Sequence, residues 1–589
     1  MTQLAQLESA QLVRRTSDPD RSYIFKHALT QDTAYESLLH AQRRDLHRRV
    51  AQAYQAEYGD RCLDEYAEIL AGHYALAGDA EQVLVYATHA GDGAARIYAN
   101  TEAIAFYTQA LTLGTSHASS QQLQHLYLAR GRAHELAGDY AVALENYRAM
   151  QALAQARGDR VLELESLMAQ ATAYAIGAGE RDTTYAETLS TQALALAGEL
   201  GDRKAQARIY WNLLLANRFG NQGPHKAVEY GEKSLALARE LGLKEQIALS
   251  LKDLSVAYAI TGRMNLAREN TPEIIALWRE LNNTPMLAEA LGGATQPLYA
   301  QGRLAEAVRS GEESIALNQA IGNRYGLSIT GCFLWYAYRE QGHLKQAIEM
   351  AEESIAIAEA MKIRGPQWGA LVELAATFDW LGDYARATEC AQRALAGIGS
   401  TMITPPMFPS AVMASIALHQ GDRGAAEEWL APYPIVSFDD FMQANPFAGT
   451  QFAFVLAIIE LALARDDPGR ALALVENALG SIRVDAIEVL LPSILHFQAR
   501  AYSMLNRADE AYALLIDARD RAEALQSRYR LLPILFALLK MESERGDAAQ
   551  VEHVRKQARE LIEYISDHTP EDLRRSFLSL PDVQKAMTG

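Results

Sequence analysis

The sequence predicts an all-α protein, a right-handed α-solenoid of about twelve helical hairpins of roughly 40 residues each. Three observations carry this. First, a short turn followed by a small residue recurs along the chain. The recurring position is Ala103, Ala143, Ala186, Ala227, Ala267, Ala307, Ala347, Ala387, Ala426, Ala471 and Ala511, with Val551 at the twelfth place. The steps run from 39 to 45 residues, and seven of the eleven are 40. Second, Gly158, Gly201, Gly242, Asn282 and Gly322 recur at the same period. Gly and Asn tolerate the left-handed backbone that ends a helix. Third, apolar residues fall at helical spacing, as at Ile247, Leu251, Leu254 and Tyr258, and no strand-like alternation of useful length is present. The recurring alanine has a packing reason: two helices cross closely only where the side chain between them is small. Hairpins of this size must stack to cover their apolar faces.

The elements follow in order. Residues 1–60 are not a repeat; they hold eight basic and eight acidic side chains, so the formal charge of −18 lies wholly on the rest. The array is expected over residues 61–570, with a C-terminal tail over 571–589. Val83 and Ala103 are half a period apart, so the run Glu81 to Tyr98 is expected as one long helix at the junction. In a regular unit the first helix is broken at Thr261-Gly262 and the second runs from Leu266 to Leu281. Residues 397–450 hold Pro405, Pro406, Pro409, Pro432, Pro434 and Pro446, and the longest step falls there. Proline breaks helices, so loops are expected, as a lengthened connection that leaves the stack intact; a hinge or a partner-specific insertion is the functional alternative.

Composition narrows the function classes. Three cysteines in 589 residues exclude a disulfide framework and point to a reducing compartment. No apolar run approaches the roughly 18 residues of a membrane span, and no secretory leader is visible at the N-terminus. A cytoplasmic protein without membrane association is predicted. The acidic balance argues against a general nucleic-acid binder, which needs a basic face.

The unit from His125 to Met150 places Gly131 in its first helix, then the Gly138-Asp139-Tyr140 turn, then Ala143 and Tyr147. With its neighbours it resembles the tetratricopeptide repeat (TPR), in the longer, roughly 40-residue spacing of bacterial regulators. Other units keep the turn glycine and the alanine but have Trp335 or Ala375 where Gly131 stands. The segment Tyr23 to Leu39, followed by Arg43 to Ala51, resembles the join between the winged-helix part and the repeats of bacterial STAND-type (signal-transducing, multidomain) ATPases. The tail Leu573 to Val583 is similar to that family's C-terminal end. Such ATPases often carry a class III adenylate/guanylate cyclase or another output domain. The resemblance implies a winged-helix remnant over residues 1–60 and contact with an upstream nucleotide-binding or output domain. No Gly-x-x-x-x-Gly-Lys-Ser/Thr phosphate loop is present, and no cyclase carboxylate pair can be placed. ATPase and cyclase activity are therefore not carried over, and the chain is expected to be the repeat half of a larger protein rather than a free-standing relative.

The search for chemistry points away from an enzyme. His40 and His47 can share a helix face, but no third ligand completes a metal site. Cys62, Cys332 and Cys390 stand alone among apolar neighbours and read as small buried hydrophobes; a Cys-dependent hydrolase is the weakest alternative. No Gly-x-Ser-x-Gly elbow occurs, and pairs such as Glu352-Glu353 and Glu427-Glu428 read as solvated helix faces. No catalytic residue, cofactor or metal is assigned. Arg43, Arg44, Arg48 and Arg49 form the one local charge inversion, a candidate interdomain contact or a solvated face with partners such as Asp45. In tetratricopeptide arrays the first helix of each hairpin lines the concave face. Counting from the turns places Lys252, Glu289, Gln296, Tyr299, Tyr336, Arg339, Asp379 and Trp380 there. Aromatic anchors with orienting charges suit capture of a protein or peptide. The expected function is a non-catalytic scaffold and regulatory sensor of a STAND-type signalling ATPase; the alternative is a small-molecule (inducer) sensor within the solenoid.

Overall fold

The computed structural model describes residues 2–15, 23–177, 180–218, 223–261, 263–361, 364–397, 406–433, 448–485 and 487–588. They form two compact units, Met1–Ala205 and Gln206–Gly589. Twelve successive helix pairs run from Ala80–Arg96 with Asn100–Gly114 to Arg528–Arg545 with Ala548–Asp567. Each pair contains one of the twelve recurring positions in its second helix. Ten of those residues are fully buried; Ala267 and Val551 are half-buried. The small side chain thus sits where two helices meet most closely.

In the first unit a two-stranded antiparallel hairpin, Val13–Arg15 with Tyr23–Phe25, pairs Val13 with Phe25 and Arg15 with Tyr23. Strands of three residues are too short to show an alternating pattern, so they were not expected. Helices Ala28–Glu36, His40–Tyr58 and Ala67–Ala77 follow. Val83 lies on Ala80–Arg96 and Ala103 on Asn100–Gly114, the two helices of one hairpin, which accounts for the half-period step. A Cβ on Gly131 would overlap the ring of Tyr147, and one on Gly91 would stand 2.6 Å from the ring of Tyr107. Both pairs are sixteen residues apart, so the Gly91 unit keeps the same glycine-to-tyrosine fit as the unit that carries the repeat pattern best.

In the second unit most of the hairpins share a single hydrophobic core that extends to the C-terminus. The turn glycines Gly302, Gly342 and Gly382 lie in the left-handed region, as do Gly242, Asn282 and Gly322 at the helix ends. Gly262 lies outside the described residues. The proline-rich stretch holds more helix than expected: Met407–His419 and Arg423–Leu430 form a hairpin there, with Pro409 in the first turn, where a missing N–H costs nothing. That hairpin packs on its neighbours at both sides, so the stack continues through it. Pro405, Pro434 and Pro446 lie outside the described residues. Helices Glu571–Ser579 and Pro581–Thr588 bury Leu573, Phe577, Val583 and Ala586, so the tail is part of the core. Among the described residues no helix is long and apolar enough to cross a membrane.

Candidate partner-binding surface

Within each unit first helices of successive hairpins meet, by backbone packing from Thr284–Ala300 onward in the second unit and by side-chain bonds such as Arg218–Asp253 and Lys252–Glu289 before it. First helices therefore form one continuous wall within each unit, here called the inner wall. In the second unit this wall divides into an open stretch and a closed one.

The open stretch covers helices Arg203–Arg218, from Gln206 onward, and Lys244–Ile260, with Glu289 and Gln296 of Thr284–Ala300 and Tyr325 of Arg324–Glu340. Asp253 accepts hydrogen bonds from the Trp211 indole N–H and from Arg218, both at 2.8 Å. Beside it, the Lys252 ammonium lies 2.8 Å from Glu289, whose side chain is 56% exposed. Burial disfavours the Lys252 charge, but Asp253 and Glu289 outweigh it and hold its pKa above the usual value. Tyr325, half-exposed, stands next to this pair. Gln296 is half-buried further along the same wall.

The closed stretch takes the remaining predicted residues out of solvent. Tyr299, Tyr336, Arg339 and Asp379 are buried, and Trp380 is half-buried. The expected accessible face is thus absent at these positions. The reason is that the wall curls until distant repeats meet: the Ala448–Ala464 helix reaches Thr284–Ala300 and Arg364–Trp380, and the Arg528–Arg545 helix reaches Arg324–Glu340. Arg339 pairs with Glu373 at 3.2 Å, and Tyr336 donates to the same carboxylate. Burial pushes the Glu373 pKa up, with Arg339 pulling against it. Arg530 lies 2.8 Å from Glu340 and also reaches the Tyr299 hydroxyl. Burial pushes Tyr299 up to about 12. Tyr529 stacks on Trp380 and lies under the Arg339 guanidinium.

A second polar chain crosses four first helices. Asp379 accepts from Ser415 and from His419, and Arg500 approaches Glu460 at 3.5 Å. Burial opposes the His419 charge, but the Asp379 hydrogen bond and the Asp379 and Glu460 carboxylates raise its pKa to about 9. His496 is the opposite case: burial first, then Arg500, push it down to about 3.

The N-terminal arginines do not form one face. Arg43 donates to the Glu36 and Leu38 carbonyls and stacks on Tyr35, and Arg48 reaches the Ala77 carbonyl. Both satisfy helix ends, a structural use of a cation. Arg44 and Arg49 point outward, Arg49 paired with Asp45 at 2.8 Å. His40 and His47 do not act together; His47 bonds Tyr35 and His73 instead. Among the described residues no group of His, Cys, Asp and Glu has metal-site geometry. The three thiols all have raised pKa values, chiefly through burial, Cys332 to about 12 and Cys390 to about 11. The first unit holds a depression of about 570 Å³ lined by Asp64, His89, Asp92, Ala95, Arg96 and Tyr107. Burial would raise the Asp92 pKa, but hydrogen bonds from His125 and Tyr107 bring it below the usual range.

Sequence reading missed Trp211, Arg218, Asp253, Glu373, His419, Glu460, Tyr529 and Arg530. A signal existed for most of them. Partners on adjacent first helices stand about one period apart: 35 residues for Arg218–Asp253, 37 for Lys252–Glu289 and Tyr336–Glu373, and 40 for Asp379–His419. Arg530 and Glu340 obey no such spacing.

A family model described as the MalT-like TPR region matches residues 218–531, over half of the chain. Among curated proteins no sequence matches significantly. Three solved structures resemble the chain at low identity. A Rap protein complexed with competence and sporulation factor is 16% identical, with a TM-score of 0.41, over 61% of this chain and 97% of that one. A STAND protein with a tetratricopeptide repeat sensor from Pyrococcus horikoshii is 15% identical, with a TM-score of 0.41, over 66% of this chain and 57% of that one. The Cut9–Hcn1 assembly of the APC/C is 13% identical, with a TM-score of 0.34, over 95% of this chain and 99% of that one.

Proposed function

This chain belongs to the MalT-like TPR family, and we propose that it is a non-catalytic scaffold that binds a protein or peptide on the open inner wall of its second unit. In this reading it relays the bound state to a signalling ATPase or output domain, with Arg44 and Arg49 available for that contact. One observation carries the proposal: the accessible Lys252–Glu289 pair bridges two consecutive first helices, held from beneath by the buried Arg218–Asp253 pair, with Trp211 and the half-exposed Tyr325 at either end. Aromatic rings supply contact area at little entropic cost, and paired charges orient a polar chain. The raised thiol pKa values weigh against the Cys-dependent hydrolase alternative, because the thiolate is the nucleophile. The test is partner capture by the full chain, followed by Trp211→Ala with Lys252→Ala. Binding should fall at least tenfold while helicity is kept; undiminished binding sinks this surface.

The small-molecule reading has one observation in its favour, the depression around Asp92 in the first unit. A ligand selective for the folded state must raise the melting temperature. A metabolite screen by thermal shift, repeated with Asp92→Asn and Arg96→Ala, decides it; a hit that is indifferent to both changes is not bound there.

A further inference from the structure

The closed stretch of wall has an occupant, and the occupant specifies a ligand chemistry. We infer that Tyr299, Glu340 and Trp380 form a receptor for a segment carrying an arginine directly after an aromatic residue, and that the chain's own Tyr529-Arg530 fills it as a resident pseudo-ligand. This rests on the peptide-binding reading above and names the partner class that the inner wall accepts.

The charges require a cation from another stretch of the wall. Arg339 pairs with Glu373 and also feels the Glu340 carboxylate, and all three are buried. Arg530 restores neutrality, with its side chain 4% exposed and that of Glu340 0%. Its two terminal nitrogens reach three acceptors: Nη2 the Glu340 carboxylate at 2.8 Å and the Tyr299 hydroxyl at 3.5 Å, and Nη1 the Ser493 hydroxyl at 2.8 Å. A guanidinium serves this fork better than an ammonium, which cannot present donors in a fixed plane. The residue before it fills the aromatic half, with the Tyr529 ring 4.7 Å from Trp380 and 4.8 Å from the Arg339 guanidinium. Ser527, three residues before Arg530, also donates to Glu340.

Beyond the receptor the seam is mixed: Phe577 stacks on Trp380, and side chains of the following helices lie in the shared core. The seam continues outward through His343 to the Tyr564 hydroxyl at 2.7 Å, Lys345 N–H to the His568 carbonyl at 2.7 Å, and Arg386 to Asp572. Arg386 and Asp572 are 42% and 56% exposed, a class of ion pair that contributes little. Native chains open locally in cooperative units that often coincide with a supersecondary motif such as a helical hairpin. For the receptor to be reached, the hairpin that begins with Arg528–Arg545 must open as such a unit while the buried receptor remains. A partner presenting an aromatic-arginine pair competes for it, so occupancy by the C-terminal hairpins is autoinhibitory.

The experiment uses the full chain and a fluorescent nonapeptide with the sequence Leu525 to Pro533. The seam is loosened away from the receptor with His343→Ala and Arg386→Ala together. Anisotropy should show the loosened chain binding at least tenfold tighter than wild type. A peptide with Arg530→Gln should not bind, and adding Glu340→Gln to the loosened chain should cost at least tenfold. Equal binding by wild-type and loosened chains, equal binding of the two peptides, or no binding to a loosened chain of unchanged circular dichroism overturns the inference. If the loosened chain fails to fold, hydrogen exchange on the wild type decides: excess peptide must accelerate exchange in residues 528–545, and unchanged exchange overturns it. Partner binding that still depends on Trp211 and Lys252 while the peptide fails leaves the scaffold reading intact and removes only this inference.

Discussion

The guanidinium of Arg530 lies 2.8 Å from the carboxylate of Glu340, and solvent reaches almost none of either side chain. The two residues belong to repeats far apart in the chain. An ideal solenoid is a row of units in which each touches only the next, and its stability is a sum of nearest-neighbour terms. This pair, with Trp380 on Tyr529 and Phe577, adds a long-range term and joins the second unit end to middle. Replacing Arg530 by Met should leave an uncompensated buried carboxylate and cost about 3–5 kcal/mol, whereas Arg530→Met with Glu340→Met should recover most of it. Urea denaturation followed by circular dichroism checks this; additive losses in the double variant would contradict it.

Gly131 is predicted to tolerate no side chain. Its Cβ would meet the Tyr147 ring, and that ring is held by a hydrogen bond to the buried Glu135. Gly131→Ala should destabilise the first unit by about 1–3 kcal/mol, the usual cost of overpacking. Tyr147→Leu in the same chain should restore part of the loss. Thermal melts of the three variants provide the measurement.

His419 makes stability depend on alkaline pH. Its folded pKa of about 9 exceeds the ordinary 6.5, so folding favours the protonated ring. The contribution is complete below pH 6.5 and is lost as pH rises through about 9. Its side chain is 39% exposed, and solvent screening reduces the effect to about 1 kcal/mol. Asp379→Asn should remove most of this alkaline loss; an unaltered profile between pH 6 and 10 would refute the assignment.

His496 sets the acid side. Burial and Arg500 hold its pKa near 3, against 6.5 for an ordinary histidine. Between those values the unfolded chain binds the additional proton, so stability falls as pH falls, by up to about 1.4 kcal/mol per pH unit. His496→Gln should flatten the acid limb of a stability profile between pH 6.5 and 4.

Much of the fold is legible in the residues. The alanine series and the turn glycines place twelve helix pairs, and ten of the twelve recurring side chains prove fully buried. The half-period at Val83 is explained by its place on the first helix of the hairpin whose second helix holds Ala103. The three-residue strands at Val13 and Tyr23 escape notice because their pattern is too short to carry a period. Within the candidate surface, Lys252, Glu289 and Gln296 lie on the open wall, and their pairing one period apart is visible in principle. Tyr299, Tyr336, Arg339, Asp379 and Trp380 are placed on the correct helices, but their exposure is not readable.

The amino-acid sequence by itself determined the class of fold, the number of units, the side chains at each helix crossing and the absence of a phosphate loop. These depend on local periodicity and on contacts with the next unit, within about 40 residues. Tertiary structure alone decided that one stretch of inner wall stays open at Lys252 and another closes on Tyr529 and Arg530. Closure depends on small rotations accumulated over many repeats, and no single position encodes that sum.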